Sequence, residues 1–92
     1  MTRALNRNHS NDYRKYQIER LFEQAASYLS NQPYLAQLLN SHRASIMDAE
    51  ATALARFQLV LHGIHEAGAF REEQFEHLAS LILSGQAEGW LY

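Results

Sequence analysis

The residues best equipped for chemistry lie in one stretch. Between His62 and His77 the chain carries His62, His65 and His77 with Glu66, Glu72, Glu73 and Glu76, spread around Gly63 and Gly68. Imidazoles and carboxylates together can hold a metal, move a proton or form paired charges on a wet surface. His62 with His65 is an i, i+3 pair, and Glu73 with His77 is an i, i+4 pair. Both spacings place two donors on one helix face. Carboxylate-bridged centres in helical bundles use Glu-x-x-His with both groups facing the core, and this stretch has no such motif. The expectation is therefore two exposed pairs, His62 with Glu66 and Glu73 with His77, with no bound metal or cofactor. A histidine/carboxylate metal protein is an alternative.

Other chemistries find less support. There is no cysteine, which removes disulfides, thiolate ligands and cysteine nucleophiles. No serine sits in a G-x-S-x-G elbow, and no strand is expected to carry one. Gly63 and Gly68 are isolated and do not lead to a phosphate-binding lysine. A phosphotransfer role for His62 or His65 would rest on nothing more specific than an exposed helical histidine. No catalytic site is expected.

The elements that position these side chains are helical. One proline, four glycines and few β-branched residues interrupt 92 residues, which favours helix almost throughout. A first helix is expected over residues 12–30, with Ile18, Leu21, Phe22, Ala25 and Leu29 on one face and Tyr28 beside them. Ser10, Asn11 or Asp12 would cap it. Pro33 restarts the chain as a short second helix over residues 33–40, burying Leu35, Leu38 and Leu39. A third helix is expected over residues 45–66, with Ser45 and Asp48 forming a capping box and Gly68 as its stop. A fourth spans residues 70–84, with Gly85 after its end, and a tail holds Trp90, Leu91 and Tyr92.

Helical wheels place the polar groups. At about 100° per residue, Ile46, Ala53, Leu54, Val60, Leu61 and Ile64 fall within about 60° of Phe57. Glu50 falls inside that stripe, where a carboxylate needs water at the helix end, an arginine such as Arg20 or Arg43, or a protein partner. His65 sits at the stripe's edge, while His62 and Glu66 point outward. On the fourth helix Phe75, Leu78, Ala79 and Ile82 face inward, and Glu73 and His77 face out.

Charge and apolar surface indicate what such a domain would meet. A net charge of -2 conceals an uneven distribution. Residues 1–20 carry Arg3, Arg7, Arg14, Lys15 and Arg20 against Asp12 and Glu19, a balance of +3. The rest sets Arg43, Arg56 and Arg71 against Asp48 and seven glutamates, a balance of -5. The basic residues 1–11 are expected to form a flexible arm ahead of a single domain over residues 12–92. Such an arm would suit an acidic partner, either nucleic acid or a second copy of the acidic body. A helix-turn-helix reading is disfavoured because the third helix opens with Asp48 and Glu50, which phosphates would repel.

Protein binding has positive support. Tyr13 and Tyr16 lie off the core face of the first helix, Leu59 points to the polar side of the third, and Trp90, Leu91 and Tyr92 follow the last helix. Aromatic anchors are favoured at interfaces, although the tail could equally cover the chain's own core. The expected partner-facing set is Tyr13, Tyr16, Glu50, Leu59, His62, Glu66, Glu73, His77, Trp90 and Tyr92. The sequence thus predicts a single all-α domain, a bundle of about four helices with the third and fourth as an antiparallel hairpin. Its expected role is a non-enzymatic protein-binding module: a small regulator, adaptor or stoichiometric inhibitor of a larger protein, with a homodimer as one form. A nucleic-acid-associated regulator using the basic arm is the alternative. No run approaches the roughly 18 apolar residues of a membrane span, no signal peptide is evident at the N-terminus, and a cysteine-free chain suits the cytoplasm.

Overall fold

The first helix and the residue after it, over residues 18–29, form the spine of the protein. In a computed structural model, which describes the backbone of residues 2–92 and the side chains of residues 11–92, Ile18, Leu21, Phe22, Ala25 and Leu29 are all buried. This is the expected face. The element order is α1 (Thr2–Tyr28), α2 (Pro33–Asn40), α3 (Arg43–Met47), α4 (Ala53–Glu66) and α5 (Glu72–Glu88), with no strand among the described residues. The expected flexible arm over residues 1–11 falls on residues whose side chains, Asn11 excepted, lie outside those described.

The all-α bundle is as expected, and α1 is its centre. It packs against α2, α3 and α5, while α4 packs against α2 and α3. The core joins α1 to α4 through Phe22 and Phe57, whose ring centroids are 5.0 Å apart. Their planes are tilted by 48°, and aromatic contacts at this separation add to the burial of their area. α4 and α5 form the antiparallel hairpin. His65 meets Phe75 beside the connection, and further away Gln58, Leu61 and His62 face Ala79, Ile82 and Leu83.

Several boundaries differ from expectation. α1 starts at Thr2 and not near residue 12, so Ser10, Asn11 and Asp12 lie inside it and do not cap it; it ends at Tyr28, and α5 starts at Glu72 and not at residue 70. The third helix is not continuous over residues 45–66. It is cut into α3 and α4 by a turn over residues 48–52, where Ala49 and Thr52 take φ of 55° and 66°. A non-glycine residue in the left-handed region costs roughly 1 kcal/mol or more. Ser45 lies inside α3 and Asp48 is its C-cap, so they form no capping box. On α2, Leu39 is buried and Leu35 half-buried, but Leu38 is exposed.

A further difference is at the end of α5. That helix continues past Gly85 to Glu88, and Gly89 is its left-handed stop at φ 89°. The Gly85 carbonyl accepts the backbone N–H groups of Gly89, Trp90 and Leu91 at 2.9, 3.0 and 3.1 Å. The chain therefore turns back, and the Trp90 ring lies over Gly85. A Cβ at position 85 would stand 2.8 Å from two carbons of that ring. Gly68 ends α4 as expected, with φ 84° and its N–H bonded to the His65 carbonyl at 2.9 Å.

Candidate functional site

The histidine and glutamate stretch folds around the α4–α5 connection, but its expected pairs do not form. His65 stacks on Phe75 with centroids 3.8 Å apart and planes 9° from parallel, and its Nε2 lies 3.2 Å from Glu72 Oε1. His62 meets the same Phe75 ring edge-on at 5.2 Å. Phe75 is thus covered by two imidazoles, which keeps it half-buried. The cause is register: the connection brings the start of α5 under the end of α4, so a ring across the hairpin outcompetes Glu66 on the same helix.

The other two groups are also engaged elsewhere. His77 Nδ1 is 2.6 Å from the Tyr28 hydroxyl, which ties α5 to α1. Glu73 Oε2 accepts from Arg71 Nε at 3.0 Å. Neither His62 with Glu66 nor Glu73 with His77 is a pair, and both expectations are corrected by these contacts. Among the described residues no group of three or more histidine, aspartate and glutamate side chains is placed to hold a metal.

Glu50 also moves. Because the helix breaks before it, Glu50 sits in the exposed 48–52 turn and not within an apolar stripe. Its proposed partner Arg43 instead donates to Glu19 at 2.7 Å, in a half-exposed pair that contributes little.

The functionally dense residue that periodicity did not single out is Arg14. It is 8% exposed, and it donates through Nη2 to the Ile46 carbonyl at 2.7 Å and through Nη1 to the Met47 carbonyl at 2.9 Å. Its guanidinium carbon lies 4.3 Å from the centre of the Tyr92 ring. A buried cation is tolerated when it is hydrogen-bonded and faces a negative dipole or π-face. The last carbonyls of α3 and the Tyr92 ring supply both. Arg14 was counted in the basic balance of residues 1–20, and its burial withdraws it from any phosphate. An arginine on the core side of an otherwise apolar helix face was the available signal.

The expected partner-facing residues divide by exposure. Trp90 is 6% exposed and Leu91 is buried, both within the same cluster as Ile18 and Leu21. Trp90 Nε1 donates to Glu88 Oε1 at 3.0 Å. The tail therefore packs on its own core, and Trp90 is not at the surface. Tyr13, Tyr16, Leu59 and Tyr92 are exposed, as are Glu50, His62, Glu66, Glu73 and His77. Tyr13 bonds Gln17 at 2.7 Å and Tyr92 lies against Arg14, so both are anchored along one side.

Leu59 and Leu83 are more informative, at 73% and 68% exposed. Leu83 walls a groove of about 200 Å³ between α4 and α5, whose other residues are Gln58, Leu61, His62, Ala79 and Ile82. Tyr34 and Leu38 form a second exposed apolar pair, one turn apart on α2. Sequence reasoning missed Leu83, Tyr34 and Leu38, since each falls at the border of a wheel's apolar sector. No protein-family model, curated protein or solved structure matches the chain.

Proposed function

We propose that the chain is a non-enzymatic protein-binding module that works in the cytoplasm as a small regulator, adaptor or stoichiometric inhibitor of a larger protein. The observation that carries this reading is the outer face of the α4–α5 hairpin. There a short apolar groove is walled by Leu83, a leucine that is more than two-thirds exposed. Isolated surface leucines need no explanation, but apolar side chains grouped around a groove lower the free energy when covered. The polar Gln58 and His62 in its lining suit an interface whose centre is apolar and whose edge is wet.

The test is affinity capture from the native cell with two baits, the wild-type chain and Leu83→Asp. Circular dichroism first establishes that both are folded. A protein retained stoichiometrically by the wild type and lost with Leu83→Asp supports the reading. Identical recoveries from both baits contradict it. Nucleic acid recovered in place of protein, with binding that weakens steeply as salt rises, points to the basic N-terminal residues instead.

A further inference from the structure

The α4 side of this hairpin carries a pattern that its own chain does not use. Arg56, Leu59, Gly63 and Glu66 are all exposed. At about 100° per residue they lie within an arc of about 80°. Neither Arg56 nor Glu66 forms an ion pair among the described residues. Gly63 lies inside a 14-residue helix, where glycine weakens the helix relative to alanine. A Cβ at Gly63 would meet nothing within 4 Å, so no contact within the chain requires the missing side chain. An absent side chain on an exposed face leaves a shallow recess into which another element fits.

The pattern is symmetric about position 61. Arg56 and Glu66 are equidistant from it, as are Leu59 and Gly63, and Ala55 and Ala67. When two identical helices pack antiparallel about a two-fold axis, each residue faces the one equidistant beyond the midpoint. We infer that the α4 face is a self-association surface on which a second copy of this chain packs antiparallel. Leu59 of each copy then sits in the recess at Gly63 of the other, Arg56 stands level with Glu66 of the other, and small alanines meet at the ends. Opposite charges flank an apolar centre twice over, once for each symmetry-related half.

Charge complementarity selects a second copy as the occupant, because the arrangement satisfies itself. A 14-residue helix is only about 21 Å long, short of what an interface of about 1,200 Å² requires. The association is therefore concentration-dependent and not obligate. The inference rests on the hairpin being a protein-binding surface and concerns its α4 side, leaving the groove beside Leu83 to the larger partner.

Sedimentation equilibrium from about 10 μM to about 1 mM tests it. The wild type is expected to form a reversible dimer that weakens at high salt. Arg56→Glu or Glu66→Arg alone places like charges opposite each other in both halves and lowers the association constant about tenfold or more. The combined Arg56→Glu and Glu66→Arg chain restores it. Gly63→Gln fills the recess and abolishes dimerisation while helicity holds. Leu83→Asp, on the other helix, leaves the dimer intact, so a lost larger partner and a lost dimer are separate results. A wild type that stays monomeric across the range overturns the inference. So does a double variant no better than the singles, or a dimer lost with Leu83→Asp.

Discussion

Arg14 Nη2 donates a 2.7 Å hydrogen bond to the main-chain carbonyl of Ile46, joining α1 to the last turn of α3. In an unbroken helix the carbonyls of Ile46 and Met47 would accept the N–H groups of Glu50 and Ala51. Here both carbonyls accept from Arg14, Ile46 sharing its carbonyl with the Ala49 N–H at 3.0 Å, and the Glu50 N–H bonds Ser45 at 3.0 Å. The break between α3 and α4 is thus held in part by a side chain more than thirty positions earlier.

Arg14→Ala removes two charged donors, leaving the Ile46 carbonyl with the Ala49 N–H alone and the Met47 carbonyl without its arginine. Hydrogen bonds to charged groups contribute about 1.5–3 kcal/mol each, so the loss is expected to be about 3 kcal/mol. For a domain of this size that lowers Tm by roughly 10–20 °C, read by thermal circular dichroism. Arg14→Lys recovers little, because an ammonium cannot serve two carbonyls and a ring with the same planar fork.

The left-handed residues of the 48–52 turn give an independent check on the break. Ala49→Gly and Thr52→Gly relieve a positive φ at exposed positions, and each is expected to raise stability by up to about 1 kcal/mol in urea denaturation. Were α3 and α4 one helix, each glycine would lower stability by a similar amount.

Two glycines within helices should respond oppositely to alanine. Gly63→Ala meets open space and gains about 0.8–1 kcal/mol of helix propensity. Gly85→Ala drives a methyl into the Trp90 ring and Leu91, and overpacking of about 1–3 kcal/mol outweighs the propensity gain. Melting temperatures of the two variants under dilute conditions should move apart, up for the first and down for the second.

Trp90 is the only tryptophan, and its burial gives a direct optical readout. Its emission should be blue-shifted in the folded state and resist iodide quenching. Trp90→Ala is expected to cost about 3–5 kcal/mol, as for other large aromatic truncations. Emission at the wavelength of free indole in water, with full quenching, would contradict the packed tail.

The core was legible where one period ran without interruption. Along α1 and into Leu29 just past its end, all five expected core residues are buried, since nothing breaks the 3.6-residue repeat from Ile18 onward. The cut between α3 and α4 was not legible. Asp48, Ala49, Glu50, Ala51 and Thr52 include neither glycine nor proline, and what marks the end of α3 is a left-handed alanine and the contacts of the remote Arg14. The placing of Glu50 failed for the same reason, because its wheel assumed a helix that does not pass through it. At the hairpin the outward direction of His62 and His77 was legible, as both are exposed. Their contacts with Phe75 and Tyr28 were not, since those depend on how α5 docks on α4 and α1.

The fold-back of Trp90 and Leu91 onto Gly85 has a consequence for how the molecule is made. A chain emerging from the ribosome would present α1 first, with Ile18 and Leu21 waiting for residues synthesised some seventy positions later. Until Leu91 has cleared the exit tunnel, that part of the nascent core stays open to water and to chaperones. Folding of this domain is therefore expected to finish only after synthesis of its last helix and tail.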